Sequence, residues 1–324
     1  MNHITPNPSK TEFKASNTKA AAYLILPVFL MGVGVYLSYS AIWSLGYIAG
    51  QLLLGVFFFQ CFILLHETGH YSYFKNKFAN TFFGNIFAFI SFIPFNSWVN
   101  IHNLHHKWTG YRDKDPTTEG TVSPKFHPFT RLLVNLSWLI WFPLFTIGYR
   151  IGNYWNISKL KKHVSPIHLT KIYRNIVLQI ILYIILFYFG GNWIVVHLLL
   201  SYFISLIISD VFILSQHSHI EIPIAGEQKV KPIRYSEQLK YTRSISFSSF
   251  MEKFIFFNFN LHELHHFQPG LPAYYLDKIQ VKTSNKVNFF NYLFDAKSMR
   301  GMSFVFSTSE KRIGVRSSDK QSNK

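Results

Sequence analysis

The feature that most constrains this chain is its set of unbroken apolar stretches. Crossing the hydrocarbon of a bilayer takes roughly 20 apolar residues in a helix. Residues 21–43 and 45–65 qualify, with only a short connection around Ser44 between them, and so does 193–214. The stretch 175–190 is slightly short, but Arg174 can snorkel at its end. The sequence Gly190-Gly191-Asn192 reads as the turn that joins these last two into a second hairpin. Charged residues make up only 15% of the chain, against roughly 25% in a soluble domain. The expected fold is therefore all-α and integral to a membrane, with four transmembrane helices arranged as two hairpins.

Two further apolar stretches do not read as spans. Residues 82–95 are too few to cross and fit a re-entrant or interfacial segment. Residues 132–149 are numerous enough, but they include Asn135 and Pro143 and are rich in Trp and Phe, which suits a helix lying at the interface.

The formal net charge is +17, from 32 Lys plus Arg against 15 Asp plus Glu. Such an excess points to nucleic acid or to a membrane surface. No nucleic-acid-binding motif is present and the charges are scattered through loops, so nucleic acid is not expected as a partner. With four crossings, every Lys and Arg falls in the N-terminal arm, the middle loop or the C-terminal third. The positive-inside rule then places both termini and the middle loop in the cytoplasm. The expected organisation is a cytoplasmic arm (1–20), a membrane domain (21–299) and a basic, Ser-rich, disordered tail (300–324). The first apolar span reads as a retained anchor rather than a cleaved signal. The single cysteine, Cys61, excludes a cysteine-based metal site.

Of the 15 histidines, ten fall into four clusters: His66 and His70; His102, His105 and His106; His217 and His219; His262, His265 and His266. Residues at i, i+3 and i+4 share one face of a helix, so each cluster can converge on a point. At this histidine frequency one HxxHH pattern is expected by chance about 0.03 times, and the chain holds two of them. In the four-span arrangement all four clusters lie on one side, in a helical cap. If 132–149 also crossed, the last two would be stranded on the other side. Nine imidazoles exceed what one ion can hold and suit two ions with positions left open. Imidazole without thiolate accommodates iron, zinc or copper.

At this point a resemblance becomes plain. The segments HETGH, WVNIHNLHHKWTG, QHSHIEIP and NFNLHELHHFQPGLPAYYL, in that order, resemble the histidine boxes of the membrane fatty-acid desaturases. The resemblance runs from Leu45 to Tyr275, and the spacing of the first box is most like the acyl-lipid, methyl-end branch. It implies two ferrous ions held by His66, His70, His102, His105, His106, His217, His262, His265 and His266, with His217 preferred over His219. It also implies dioxygen as co-substrate, a membrane lipid or other acyl substrate, and an external electron donor such as a ferredoxin or small cytochrome. The reaction implied is conversion of CH2–CH2 to a cis double bond. Related lipid hydroxylases and carotenoid ketolases share the boxes. Asp210, Asp113 and Asp115 are candidates for orienting the ligands, and Asn258 and Asn260 for reaching the metal through water or capping a helix.

Two readings of other classes compete. His66-Glu67-Thr68-Gly69-His70 also matches the HExxH motif of zinc proteases, and His262-Glu263-Leu264-His265-His266 matches it again. An intramembrane metalloprotease needs three protein ligands, which leaves the second box without a purpose. A haem carrier with paired axial histidines would place them inside the spans, whereas these clusters lie outside. His197, within the fourth span, reads as an interhelix packing residue.

Overall fold

The computed structural model describes residues 13–122, 126–306 and 313–315. In chain order the helices are α1 (Asn17–Ser38), α2 (Leu45–Gly69), α3 (Lys77–Ile90), α4 (Phe95–Trp108), α5 (Pro128–Leu139) and α6 (Leu144–Arg150). There follow α7 (Ile157–His163), α8 (Pro166–His197), α9 (Leu199–His217), α10 (His262–Phe267), α11 (Phe289–Lys297) and α12 (Gly301–Phe306). One short parallel pair of strands, β1 (Ile245–Ser246) and β2 (Val287–Asn288), ties the two halves of the C-terminal third together.

Among the described residues α1, α2, α8 and α9 are long and apolar enough to cross a membrane. Helix suits them because lipid offers no partner for backbone N–H and C=O groups, which must then bond within the segment. Polar caps start the elements where the apolar runs begin. The Ser44 hydroxyl accepts from the Tyr47 amide at 3.2 Å at the head of α2, and Asn76 accepts from the Ala79 amide at 2.6 Å at the head of α3.

Burial separates the roles of these helices. α2 lies at the centre, packed against α1, α3 and α9. No residue in the most apolar window of α8 is buried, and Ile184, Tyr188 and Phe189 project outward. Apolar surface that continuous suits a helix facing lipid. α1 and α2 touch through small residues. A Cβ on Gly50 would lie 2.9 Å from the Gly34 carbonyl oxygen and 2.9 Å from the Ser38 nitrogen, both of them backbone atoms.

The sequence places the second hairpin turn at Gly190-Gly191-Asn192, and the structure moves it. α8 runs through both glycines to His197, and the chain turns at Leu198. A glycine inside a helix costs about 1 kcal/mol, less than exposing unbonded peptide groups to lipid. His197 sits at this turn, with Nδ1 3.0 Å from the Ser38 hydroxyl and its carbonyl accepting from Gln51 at 2.9 Å. It is a packing residue between hairpins, as expected.

The two shorter apolar stretches form bent helix pairs. α3 and α4 meet at 101°, and α5 meets α6 with its π-helical extension (Ile151–Trp155) at 116°. An aromatic residue in the left-handed region makes each bend, Phe92 at φ 54° and Trp141 at φ 62°. Both pairs therefore fold back instead of continuing straight, in keeping with the interfacial reading.

The chain beyond Arg300 corrects the expectation of a disordered tail. Residues 301–306 form α12, where Phe304 is buried and stacks on Trp138 at 4.6 Å, and Ile313 is buried as well. The basic, Ser-rich composition hides these apolar anchors. The rest of the expected tail (307–312 and 316–324) and residues 1–12 of the arm lie outside the described residues.

Gly50→Ala is expected to destabilise the protein by about 1–3 kcal/mol, because the new methyl meets backbone that cannot move aside. A thermal unfolding midpoint in detergent micelles equal to that of the wild type would refute this account of the α1–α2 contact.

Candidate metal centre

Each histidine cluster sits where an element ends or bends. His66 is in the last turn of α2, and His70 caps that helix. The bend at Phe92 folds α4 back beside the end of α2, which delivers His102, His105 and His106. The fit there is close. A Cβ on Gly69 would lie 2.1 Å from the Trp98 ring, and that ring stacks on His102 at 4.2 Å. Only glycine lets the two helices approach this far. His217 is the final residue of α9, and α10 carries His262, His265 and His266 on one face.

The side chains converge in two adjoining groups. His66, His70, His102, His106 and His265 form one, and His105, His217, His262 and His266 form the other. Within each group the candidate ligand nitrogens lie within 4.8 Å of one another. In the first, Nε2 of His102 is 3.0 Å from Nε2 of both His70 and His106, and Nε2 of His106 is 3.0 Å from that of His265. In the second, Nε2 of His262 is 3.0 Å from that of His217 and 3.1 Å from that of His266.

Hydrogen bonding does not account for these distances. A neutral imidazole nitrogen carries either a proton or a lone pair, not both. Along the run His70–His102–His106–His265 each inner Nε2 would have to serve two partners with one proton or one lone pair. Nε2 of His66 is buried with no hydrogen-bond partner among the described residues. Lone pairs directed at common points are what cations require, so the donor set fits two metal ions.

The outer nitrogens are held by acceptors that fix the ligand orientation. His66 Nδ1 donates to Glu67 at 2.9 Å and His105 Nδ1 donates to Asp115 at 2.6 Å. His217 Nδ1 donates to the Tyr241 carbonyl at 3.2 Å. His266 Nδ1 donates to the Gln238 side-chain oxygen at 2.9 Å, while the Gln238 amide nitrogen donates to the His106 carbonyl. Carboxylates and carbonyls only accept, so in each case the proton lies on Nδ1 and Nε2 is left free for a metal.

The ionisation states agree with this. For His102, His106, His262, His265 and His266, burial first and the crowding of neighbouring imidazoles second hold the pKa well below the ordinary value. Burial pushes the Asp115 carboxyl upward. The opposing influence of His105 and of the Thr117 donors is larger in sum, so it remains below its usual range and ionised.

The other candidates stand elsewhere. His219 turns away, Nε2 2.9 Å from the Phe304 carbonyl, so of the pair His217 and His219 it is His217 that joins the centre. Asp113, adjacent in sequence to the orienting region, accepts instead from the Ala225 and Gly226 amides at 2.8 and 3.0 Å. Asp210 accepts from the Thr146 amide at 2.6 Å and pins α6 to α9. Asn258 and Asn260 donate to the carbonyls of Ala273 and Ile245. Short polar side chains near backbone amides and carbonyls bond locally, which sequence proximity to the boxes does not reveal. The side chains that hold the clustered imidazoles are Asp115, Glu67 and Gln238. Glu67 lay in plain view inside the first box, whereas nothing in the local sequence marks Gln238.

Both glutamates of the HExxH matches are occupied. Glu67 holds His66 and also accepts from the Ala273 amide at 2.9 Å. Glu263 accepts from the amides of Ser284 and Asn285, each at 3.0 Å. Neither carboxylate is free to activate water. A narrow cavity of about 100 Å³ reaches both histidine groups, with Phe62, Phe145, Ile213 and Leu214 among its apolar lining residues and Arg112 among its polar ones.

Comparison with known proteins yields consistent matches. The family model described as fatty acid desaturase matches residues 41–295. The chain is 27% identical over 299 residues to an sn-1 oleoyl-lipid 12-desaturase of Picosynechococcus, covering 85% of this chain and 73% of that one. It is 31% identical over 123 residues to an omega-3 fatty acid desaturase of Caenorhabditis elegans, covering 36% of this chain and 31% of the relative. It is also 30% identical over 112 residues to an sn-1 acyl-lipid omega-3 desaturase (ferredoxin) of Nostoc, covering 33% and 31%. The match thus spans less than a third of the length of the worm and Nostoc relatives.

Asp115→Ala is expected to lower metal affinity about 10- to 100-fold, read as the metal content of purified protein, whereas Asp113→Ala leaves it near wild type. Equal losses in the two variants would contradict the assignment. A second expectation concerns acid. A base whose folded pKa is depressed takes up fewer protons folded than unfolded, so its stabilising contribution is complete above the unfolded value of about 6.5 and is lost as pH falls below it. Metal-free protein in micelles should therefore melt at steadily lower temperature on acidification below about pH 6.5, and a flat profile would count against burial of neutral imidazoles.

Proposed function

The chain belongs to the fatty acid desaturase family, and from that premise we propose that it is a membrane oxidoreductase that introduces a cis double bond into the acyl chain of a membrane lipid. The observation that carries the reading is the convergence of nine imidazoles into two adjoining groups beside an apolar cavity. The overall conversion takes CH2–CH2, dioxygen, two electrons and two protons to CH=CH and two molecules of water. Relatives whose names specify oleoyl-lipid 12-desaturation and acyl-lipid omega-3 desaturation favour an acyl lipid, modified toward its methyl end, as substrate.

His66, His70, His102, His106 and His265 would hold one iron ion, and His105, His217, His262 and His266 the other. Bound iron supplies the activation of dioxygen that an unactivated CH2 requires. Groups of five and four imidazoles would leave such ions free to take a further small ligand. Everything else falls to the protein. Glu67, Asp115, Gln238 and the Tyr241 carbonyl keep the imidazole protons on Nδ1 and the rings correctly turned. Phe62, Phe145, Ile213 and Leu214 exclude water and lay the chain alongside the centre, so that one CH2 is presented and its neighbours are not.

The centre lies at the ends of α2 and α9, the end at which α1 and α8 begin. The connections at the opposite end, 39–44 and Leu198, carry no Lys or Arg. By the positive-inside rule the centre faces the cytoplasm. Electrons come from a separate protein on that side, and the Nostoc relative, with ferredoxin in its name, favours a donor of that kind.

Expression in a host that makes monounsaturated but no polyunsaturated lipids tests the reading, with fatty-acid methyl esters analysed by gas chromatography–mass spectrometry. The expected result is a new ester lacking two hydrogens relative to a host ester, absent with His265→Ala although that variant still inserts into the membrane. An unchanged profile from iron-loaded protein would overturn the assignment.

A further inference from the structure

The cavity that reaches His105 and His217 carries one cation, Arg112, on its wall. Its backbone is held on both sides: the amide donates to the Pro223 carbonyl at 2.9 Å, and the carbonyl accepts from the Thr118 hydroxyl at 2.8 Å. Its Nε donates to the Thr121 hydroxyl at 2.9 Å, which sets the plane of the guanidinium. The Thr121 hydroxyl in turn donates to the Thr118 carbonyl at 2.7 Å, so the threonine cannot swing away without losing that bond. The two terminal nitrogens of Arg112 have no acceptor among the described residues.

Among the described residues no carboxylate neutralises this charge. The acids of the same loop are all committed elsewhere. Asp113 faces the Ala225 and Gly226 amides and Lys114, Asp115 faces His105, and Glu119 faces Lys159, Lys162 and His163. Burial lowers the Arg112 pKa from its ordinary value, as expected of a cation partly withdrawn from water without a counter-charge. A guanidinium with a fixed plane and a free fork is suited to bidentate contact with the oxygens of an anion. The same cavity is lined by apolar side chains, among them Phe62, Ile213 and Leu214, and by His105 and His217.

We propose that Arg112 receives the phosphate of the acyl substrate, fixing the polar end of the molecule at this point of the cavity while the chain extends along the apolar wall to the metal centre. The proposal rests on the desaturase reading and adds to it the means by which the enzyme selects which CH2 is presented, since the distance from the anchored phosphate sets the register. Two sources offer this chemistry, the phosphodiester of an anionic phospholipid and the phosphates of an acyl-coenzyme A.

The test uses metal-free, full-length protein in dodecyl maltoside micelles, with dissociation constants measured by native mass spectrometry for three oleoyl probes. These are dioleoyl phosphatidylglycerol, oleoyl-coenzyme A and an uncharged dioleoyl galactolipid. Arg112→Gln should weaken a phosphate-bearing probe about tenfold and leave the galactolipid unchanged. Arg112→Lys, which keeps the charge but not the fork, should fall between. Loss confined to phosphatidylglycerol identifies the membrane lipid as the source, and loss confined to oleoyl-coenzyme A identifies the thioester. Equal weakening of all three probes, or no change in either phosphate-bearing one, overturns the proposal. Binding here needs neither metal nor turnover, so a protein that proves not to desaturate leaves this result independent of that failure.

Discussion

Neutral imidazoles crowded together with their lone pairs directed inward are the constraint around which this molecule is arranged. Without a cation each group is poorly satisfied: His66 Nε2 lacks any partner among the described residues, and Nε2 of His102 and His106 each face two like neighbours. The surrounding structure must hold them there. It does so by ending α2 and α9 at the same level, bending α3–α4 back beneath α2, and capping the assembly with α10. The close approach at Gly69 and Trp98 belongs to the same arrangement, because the ring that needs the missing Cβ is the one that stacks on His102.

The polar network around the centre divides its work. Acceptors on Nδ1 decide which nitrogen of each ring faces inward, and several of them also join distant parts of the chain. Gln238 touches both His266 and the His106 carbonyl, linking the second and fourth boxes. Glu67 orients His66 and pins the loop at Ala273. A carboxylate with this double duty is committed to structure, which is why the protease-like spelling of the first box does not translate into protease-like geometry.

Much of this could be read from the residues. The four spans follow from apolar run length, and the ligand-bearing faces from the i, i+3, i+4 spacing of His102, His105 and His106 and of His262, His265 and His266. What escaped the sequence depends on three-dimensional context. The second hairpin turn moved from Gly190-Gly191-Asn192 to Leu198 because lipid favours a continuous helix even through glycine. Asp113 and Asp115 are alike in composition and position, and only the fold of their loop gives the imidazole to one and the Ala225 and Gly226 amides to the other. The helix at 301–306 was masked by the basic residues around it.

The bond from the Ala273 amide to Glu67 joins residues 206 positions apart. Its consequence lies in the order of assembly. During synthesis the spans emerge and insert one hairpin at a time, while α10 and its loop appear only after α9 is complete. Until then the first two boxes are incomplete on their open side, and closing so long a loop carries an entropic penalty that grows with its length. Ions that bind His66, His102 and His265 together, or His105, His217 and His262, would act as a clasp between the early and late parts of the chain. Loading the centre would then reinforce a closure the chain has already made.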